Sequence, residues 1–120
     1  MADVLRQLKI KTGVVNRLVK EEASYVKEAE QQEKHIQSLI EKGEDEWTVN
    51  KQKQVLKESL VMIPDTQTRL TAAISELDLL LEQLDDSNRD AAEATAAREA
   101  LEKAAQAQAQ AQSRVQEAAA

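Results

Sequence analysis

Residue patterns suited to acid–base or metal chemistry are lacking in this chain of 120 residues, although it contains 22 acidic residues. His35 is the only histidine and cysteine is absent, which excludes disulfides and thiolate metal sites. Glu33 and Glu41 lie near His35, but on a helix the three side chains would point in different directions and lack the HExxH spacing of a zinc site. No glycine-rich loop could hold phosphate, and no pattern would activate a serine or lysine. We therefore expect no enzyme, no cofactor and no metal site, with His35 an ordinary surface residue.

The composition favours helices, because it lacks what a sheet requires. Glycine occurs twice and proline once, so few turns are available, whereas a sheet needs many. Aromatic residues make up 2% of the chain, so leucine, isoleucine, valine and alanine must form the core. A charged fraction of 32% beside 42% hydrophobic residues is typical of helices with one buried stripe. One all-helical domain is the expected architecture.

Charge and hydropathy also exclude two classes of partner. A net charge of −6 disfavours nucleic acid, whose binding depends on neutralising phosphates. No apolar run approaches the roughly 20 residues of a membrane span, and the N-terminus lacks the apolar region of a secretory signal. We therefore expect a cytoplasmic protein that binds neither nucleic acid nor a membrane.

A first helix is predicted from about residue 3 to 42 by apolar residues at alternating spacings of three and four. A second track beside the first doubles the width of the stripe, which is typical of a helix that contacts two neighbours. Gly43 follows where a left-handed residue would end the helix. The main track comprises Leu5, Leu8, Thr12, Val15, Val19, Glu22, Val26, Ala29, Glu33, Ile36 and Ile40, and the second comprises Val4, Leu18, Tyr25 and Leu39.

A second helix is predicted from about residue 47 to 84, with Asp45 or Thr48 as its N-cap. Pro64 falls in its middle, where a proline removes one backbone donor and costs about 3 kcal/mol in an ideal helix. Because the apolar spacing keeps its phase on both sides, we expect Pro64 to kink this helix without dividing the chain. Its track comprises Val49, Gln52, Leu56, Ser59, Ile63, Thr66, Leu70, Ala73, Leu77, Leu80 and Leu84.

A third helix is predicted to begin near Arg89, after a polar break at residues 85–88. Within and after that break, Ser87 and Asp90 resemble an N-terminal capping pattern. The helix is rich in alanine, the best helix former, but contains few large apolar residues.

Alanine and glutamine alternate after Lys103, so a helix in that stretch would present no apolar side. We therefore predict a bundle of residues 1–103, whose third helix covers 89–103 or extends beyond. Residues 104–120 form an Ala/Gln-rich tail that is either helical or frayed.

Charge is distributed so that the first two helices would attract each other in an antiparallel arrangement and repel in a parallel one. Residues 1–20 carry one acid and five bases, and residues 21–46 carry nine acids and three bases. Residues 47–69 carry a net +2 and residues 70–120 a net −6, so the basic start of the first helix faces acids from Glu76 onwards. Exposed pairs contribute only about 0–1 kcal/mol each, so they do not hold the two helices together. They do favour the antiparallel arrangement, because a parallel one would oppose like charges. The predicted fold is an all-α, three-helix antiparallel bundle similar to a coiled coil.

Two segments resemble a known family. The run KIKTGVV-x-RLVKE occupies Lys9–Glu21 and the run MIPD-xxx-RL occupies Met62–Leu70, in the order and at the separation typical of tubulin-binding cofactor A. The resemblance covers about residues 1–103. It implies a nucleotide-independent chaperone that captures β-tubulin after release from the chaperonin and hands it to other tubulin-folding cofactors for assembly of the αβ dimer. It also implies a cytoplasmic, cytoskeleton-associated location.

The hypothesis for the partner-binding surface combines both runs. An antiparallel hairpin would place Arg17 and Lys20 opposite about residues 70–73, so the two runs would be neighbours in space. We expect a basic strip beside the predicted kink to contact β-tubulin, a strongly acidic partner, because charge complementarity raises association rate and specificity. The expected contact residues are Lys9, Lys11, Arg17, Lys20, Pro64, Asp65 and Arg69.

Two alternatives remain open from the sequence. Gly13 costs about 1 kcal/mol inside a helix, so it either lets a neighbouring helix approach closely or serves the function of its motif. The whole chain could instead be a self-associating coiled-coil adaptor or a spectrin-like structural spacer. Spacers of that class normally carry an aromatic residue in the core of their first helix, whereas Trp47 lies in the predicted turn and a spacer needs no Pro64.

Overall fold

The computed structural model describes the backbone of residues 2–119 and the side chains of residues 3–111. Three α-helices contain most of these residues, and no strand occurs within the described backbone. A short 3-10 turn at Asp86–Asn88 precedes the third helix. The predicted all-α class with three helices is therefore confirmed. The helices are α1 at Ala2–Glu41, α2 at Glu46–Glu82 and α3 at Ala92–Ala119.

Gly43 ends α1 in the way its position in the sequence predicts. Its φ of +74° lies in the left-handed region, which residues with a Cβ rarely adopt. The N–H of Gly43 donates to the carbonyl of Ile40, and the N–H of Glu44 donates to the carbonyl of Leu39, both at 3.0 Å. This pair of bonds is a Schellman motif, which satisfies carbonyls that the helix leaves without donors. The predicted C-cap is confirmed.

The second helix is capped by Asp45 and continues through Pro64. The Asp45 carboxylate accepts a hydrogen bond from the N–H of Thr48 at 3.4 Å, which confirms Asp45 as the N-cap. Pro64 has no N–H to donate to the carbonyl four residues earlier, yet α2 is unbroken. Just beyond, the Thr66 hydroxyl donates to the carbonyl of Met62 at 2.8 Å. Pro64 therefore does not divide the helix, and the kink itself stays a prediction.

The third helix begins at Ala92, three residues after the predicted start near Arg89. The Asp85 carboxylate accepts hydrogen bonds from the Ser87 hydroxyl at 2.7 Å and from the Asn88 side-chain amide at 3.0 Å. These bonds close the 3-10 turn instead of capping α3. Short polar side chains compete for local hydrogen bonds in this way, which delays the first regular turn of the helix.

The first of two compact units contains residues 1–19 and 67–120. Leucines and a valine of α1 and α2 pack there against a stripe of alanines on α3, whose short side chains permit close approach. Gln108 donates to the Thr71 hydroxyl at 3.2 Å, far from the connection between α2 and α3, so these two helices are antiparallel. The buried cluster comprises Leu8, Val15, Leu18, Leu70, Ala73, Leu77, Leu84, Ala94, Ala97, Ala100 and Ala104.

The second compact unit contains residues 20–66, a hairpin of the end of α1 and the start of α2. The Gln32 amide donates to the Gln52 carbonyl at 3.1 Å and to its side-chain oxygen at 2.8 Å, which joins the two helices. The buried positions of this unit all lie on the predicted tracks. Two of them are polar, so the unit has few large apolar side chains in its core. Those positions are Glu22, Ala29, Ile36, Val49 and Thr66.

Two sequence-based interpretations do not hold in the structure. A Cβ at Gly13 would find nothing within 4 Å, so the interpretation that Gly13 lets a neighbouring helix approach closely is wrong. After Lys103, Ala104 and Ala111 are both buried, so the expectation of no apolar side is wrong for these positions. They are seven residues apart, or about two helical turns, so both lie on the same side of α3. The Ala/Gln alternation begins at Ala105, so Ala104 lies outside it and Ala111 falls within it. The division of the chain at residue 103 stays a prediction.

Candidate partner-binding surface

The titratable side chains near His35 do not form a chemical site. His35, Glu33 and Glu41 are all exposed on α1. Within the described residues, no group of three or more histidine, cysteine or acidic side chains is placed to hold a metal ion. None of the described helices combines the length and apolar character that crossing a bilayer demands. The remaining candidate site is the partner-binding surface that the sequence predicts.

The basic residues of the KIKTGVV run do not share one side of α1. Lys9 and Arg17 are exposed and, eight residues apart, lie within about 80° around the helix axis, whereas Lys11 is more than about 100° from either. The ammonium of Lys11 lies 2.7 Å from the Glu76 carboxylate, with the side chains 40% and 56% exposed. This pair confirms that the basic start of α1 faces Glu76. Arg69, the one predicted contact residue of α2 in this unit, is exposed.

The remaining predicted contact residues belong to the unit of residues 20–66. Lys20, Pro64 and Asp65 are all exposed. The position after Asp65 is Thr66, which is buried and bonded to its own helix, so it takes the inward side of α2. Pro64 and Asp65 therefore point outward and are accessible to a partner.

A shallow groove beside Lys9 offers little room for a small ligand. Its volume is about 240 Å³, below the roughly 300–1,000 Å³ of typical ligand pockets. Thr12 is buried at this groove, and its hydroxyl has no hydrogen-bond partner among the described residues. The lining is otherwise small or charged, which does not suit a cofactor. The lining residues are Lys9, Thr12, Ala92, Glu93 and Ala96.

Sequence reasoning missed an exposed apolar face on the first half of α2, within residues 20–66. We call it the outward α2 face. Trp47 and Val61 are its most exposed members, at 69% and 66%. The sequence did contain evidence for this face, because these apolar residues do not belong to the track of inward residues that begins at Val49. The face comprises Trp47, Val55, Leu60, Val61 and Met62, with Lys51, Lys53 and Lys57 among them.

Comparison with known proteins identifies relatives over most of the chain. A family model described as Tubulin binding cofactor A matches residues 3–101, which include both runs singled out in the sequence. Tubulin-specific chaperone A of Oryctolagus cuniculus is 48% identical over 101 residues, which cover 83% of this chain and 90% of that protein. The match is therefore neither short nor confined to one helix.

Solved structures with the same fold extend this similarity. The crystal structure of tubulin folding cofactor A from Arabidopsis thaliana matches with a TM-score of 0.81 and 33% identity, covering 88% of this chain and 99% of that one. The structure of human tubulin chaperone cofactor A matches with a TM-score of 0.71 and 44% identity, covering 82% and 95%. The helical architecture is shared across these relatives.

Proposed function

The chain belongs to the tubulin binding cofactor A family, and on that basis we propose that it captures β-tubulin and stabilises it for assembly into the αβ-tubulin dimer. In this proposal it receives β-tubulin after release from the chaperonin and passes it to other tubulin-folding cofactors. It requires no nucleotide, and the absence of a glycine-rich phosphate loop from the sequence agrees with that. It acts in the cytoplasm, in association with the cytoskeleton.

One observation carries this proposal: the family match runs unbroken from residue 3 to residue 101. It includes Lys9–Glu21 and Met62–Leu70, the two segments that depart most from a plain amphipathic helix. The relatives named above are chaperones of tubulin by their own descriptions, and their fold agrees with this one. A binding role also suits a helical protein that carries exposed apolar and basic side chains.

The residues proposed to contact β-tubulin are divided between the two units. In the first, Lys11 pairs with Glu76 and is half-buried, so it contributes less to a partner than an exposed lysine would. Attraction between these basic residues and an acidic partner mainly raises the association rate, and salt screens it. The contacts proposed for the first unit are Lys9, Lys11, Arg17 and Arg69, and those for the second are Lys20, Pro64 and Asp65.

The experiment that tests the function uses the whole purified chain with monomeric β-tubulin and, separately, α-tubulin. Gel filtration with light scattering should detect a one-to-one complex with β-tubulin and none with α-tubulin, whether or not ATP or GTP is present. Equal binding of both tubulins would contradict the proposed specificity. Self-association of the chain without tubulin binding would instead indicate the structural spacer.

A further inference from the structure

We propose that the outward α2 face is a contact surface for the client, and that it receives an acidic amphipathic segment of the tubulin chain. The identity of the client rests on the proposed function, whereas the chemistry of the segment is inferred from the face itself. The predicted contact residues are all charged except Pro64. The outward α2 face adds the apolar area that such a surface would otherwise lack.

Four of the five apolar side chains of this face, all except Leu60, lie within about 120° around α2. Trp47 and Val61 are fourteen residues apart, which places them about 40° from each other around the helix and about 21 Å apart along it. Val55 and Met62 are less exposed and lie about 80° and 60° from Trp47, whereas Leu60 lies about 140° away. Exposed Gln54 and Glu58 lie between Trp47 and Val61 on the same side of the helix, so the face alternates apolar and polar groups. Single exposed apolar residues are ordinary on a protein surface, but several on one side of a helix can form an interaction site.

Trp47 is presented in a form that suits recognition of an acidic partner. The ammonium of Lys51 lies 4.7 Å from the centre of the Trp47 ring, within range of a cation–π interaction. The aromatic surface and the positive charge are thus adjacent on one helical turn. Tryptophan is among the residues that contribute most to binding when an interface buries them, and a carboxylate could meet the neighbouring ammonium.

The charge of the face selects an acidic occupant over a second copy of this chain. Residues 47–62 carry Lys51, Lys53 and Lys57 against Glu58 alone, whereas residues 21–46 are strongly acidic. Two copies that met symmetrically through this face would oppose like charges. An acidic amphipathic segment would satisfy both the lysines and the apolar side chains, so the client fits better than self-association.

The apolar character of the face is tested with the double variant W47Q/V61Q of the full chain. Its matched control is I40Q/L79Q, two apolar residues outside this face that are 48% and 55% exposed. We expect the first variant to weaken the affinity for purified β-tubulin about tenfold or more and the control to change it less than about twofold, because buried apolar anchors dominate interfaces. Circular dichroism should show equal helicity in both.

The charge of the face is tested with K53E/K57E, and its control is K27E/K34E on exposed positions of α1 in the same unit. The first variant should slow association with β-tubulin at low salt, and the difference should vanish at high salt, because salt screens steering between exposed charges. Incorporation of 5-fluorotryptophan labels Trp47 alone, so its single fluorine resonance should shift or broaden when β-tubulin is added.

The outcomes separate this proposal from the proposed function. If the unmodified chain binds β-tubulin and W47Q/V61Q binds equally well, the outward α2 face is not a contact surface, although the function stands. If the unmodified chain does not bind β-tubulin at all, both proposals fail. If W47Q/V61Q converts a dimer of the free chain to a monomer, the face is an interface between copies, which would also overturn the proposal.

Discussion

Leu77 and Leu79 lie two residues apart on α2, yet Leu77 is fully buried and Leu79 is 55% exposed. Two residues correspond to about 200° around an α-helix, so the two side chains point to opposite sides of α2. Leu77 lies on the predicted track and Leu79 does not. The pair therefore provides an internal comparison of two leucines that differ only in what surrounds them.

Replacing Leu77 by alanine should destabilise the protein by about 2–5 kcal/mol, because it leaves a cavity in the core. Leu79→Ala should cost less than about 1 kcal/mol, since most of that side chain is already in water. Urea unfolding monitored by circular dichroism measures both free energies. Similar losses for the two variants would contradict the assigned burial.

The ion pair between Lys11 and Glu76 should have a small effect on stability. Its groups are partly exposed, so Lys11→Glu should cost no more than about 1 kcal/mol beyond the helical effects of the substitution. Adding Glu76→Lys to Lys11→Glu should recover most of that loss, and salt should shrink the recovery. A double-mutant cycle at low and high salt gives the coupling free energy. A coupling of zero at low salt would show that the pair does not form.

The two glycines should respond to alanine in opposite directions. Gly43→Ala should destabilise the protein by about 1–2 kcal/mol, because its φ of +74° is unfavourable for a residue with a Cβ. Gly13→Ala should stabilise it by about 0.5–1 kcal/mol, because Gly13 is inside α1 and a Cβ there meets nothing. Thermal unfolding of the two variants decides the signs. If Gly13→Ala keeps its stability but loses β-tubulin binding, the glycine serves the partner surface.

The burial of α3 alanines predicts a contrast between two neighbouring residues. Ala104 is fully buried and Ala105 is exposed. Ala104→Glu should destabilise the protein by at least about 2 kcal/mol, because it places a charge in an apolar site. Ala105→Glu should change stability by less than about 0.5 kcal/mol. Urea unfolding tests both, and equal effects would indicate that α3 is not anchored after Lys103.

Charge reversal tests the basic residues proposed to meet β-tubulin. Arg17→Glu combined with Lys20→Glu should slow capture of β-tubulin at low salt while leaving helicity intact. The control pair Lys27→Glu and Lys34→Glu alters the same number of charges at exposed positions of α1. Stopped-flow or surface-binding kinetics give the association rate. An unchanged rate for the first pair would place the contact surface elsewhere.

Much of the fold follows from the sequence because its determinants are local or periodic. The 3-4 spacing in α2 predicts the inward residues from Val49 to Leu84, since each must share one side of a helix with the next. Gly43 is predictable because only a residue without Cβ adopts its conformation readily. The meeting of Lys11 with Glu76 follows from the opposite charges that an antiparallel arrangement brings together.

Other features depend on the tertiary structure, because they are set by what lies opposite a residue and not by the residue itself. Ala104 and Ala111 are buried only because neighbouring side chains cover them; alanine alone carries too small an apolar surface to predict its position. Sequence likewise could not tell that Gly13 faces open space. The types and spacing of residues therefore determined the helices and the family of this chain. Packing decided which of its apolar side chains remain exposed.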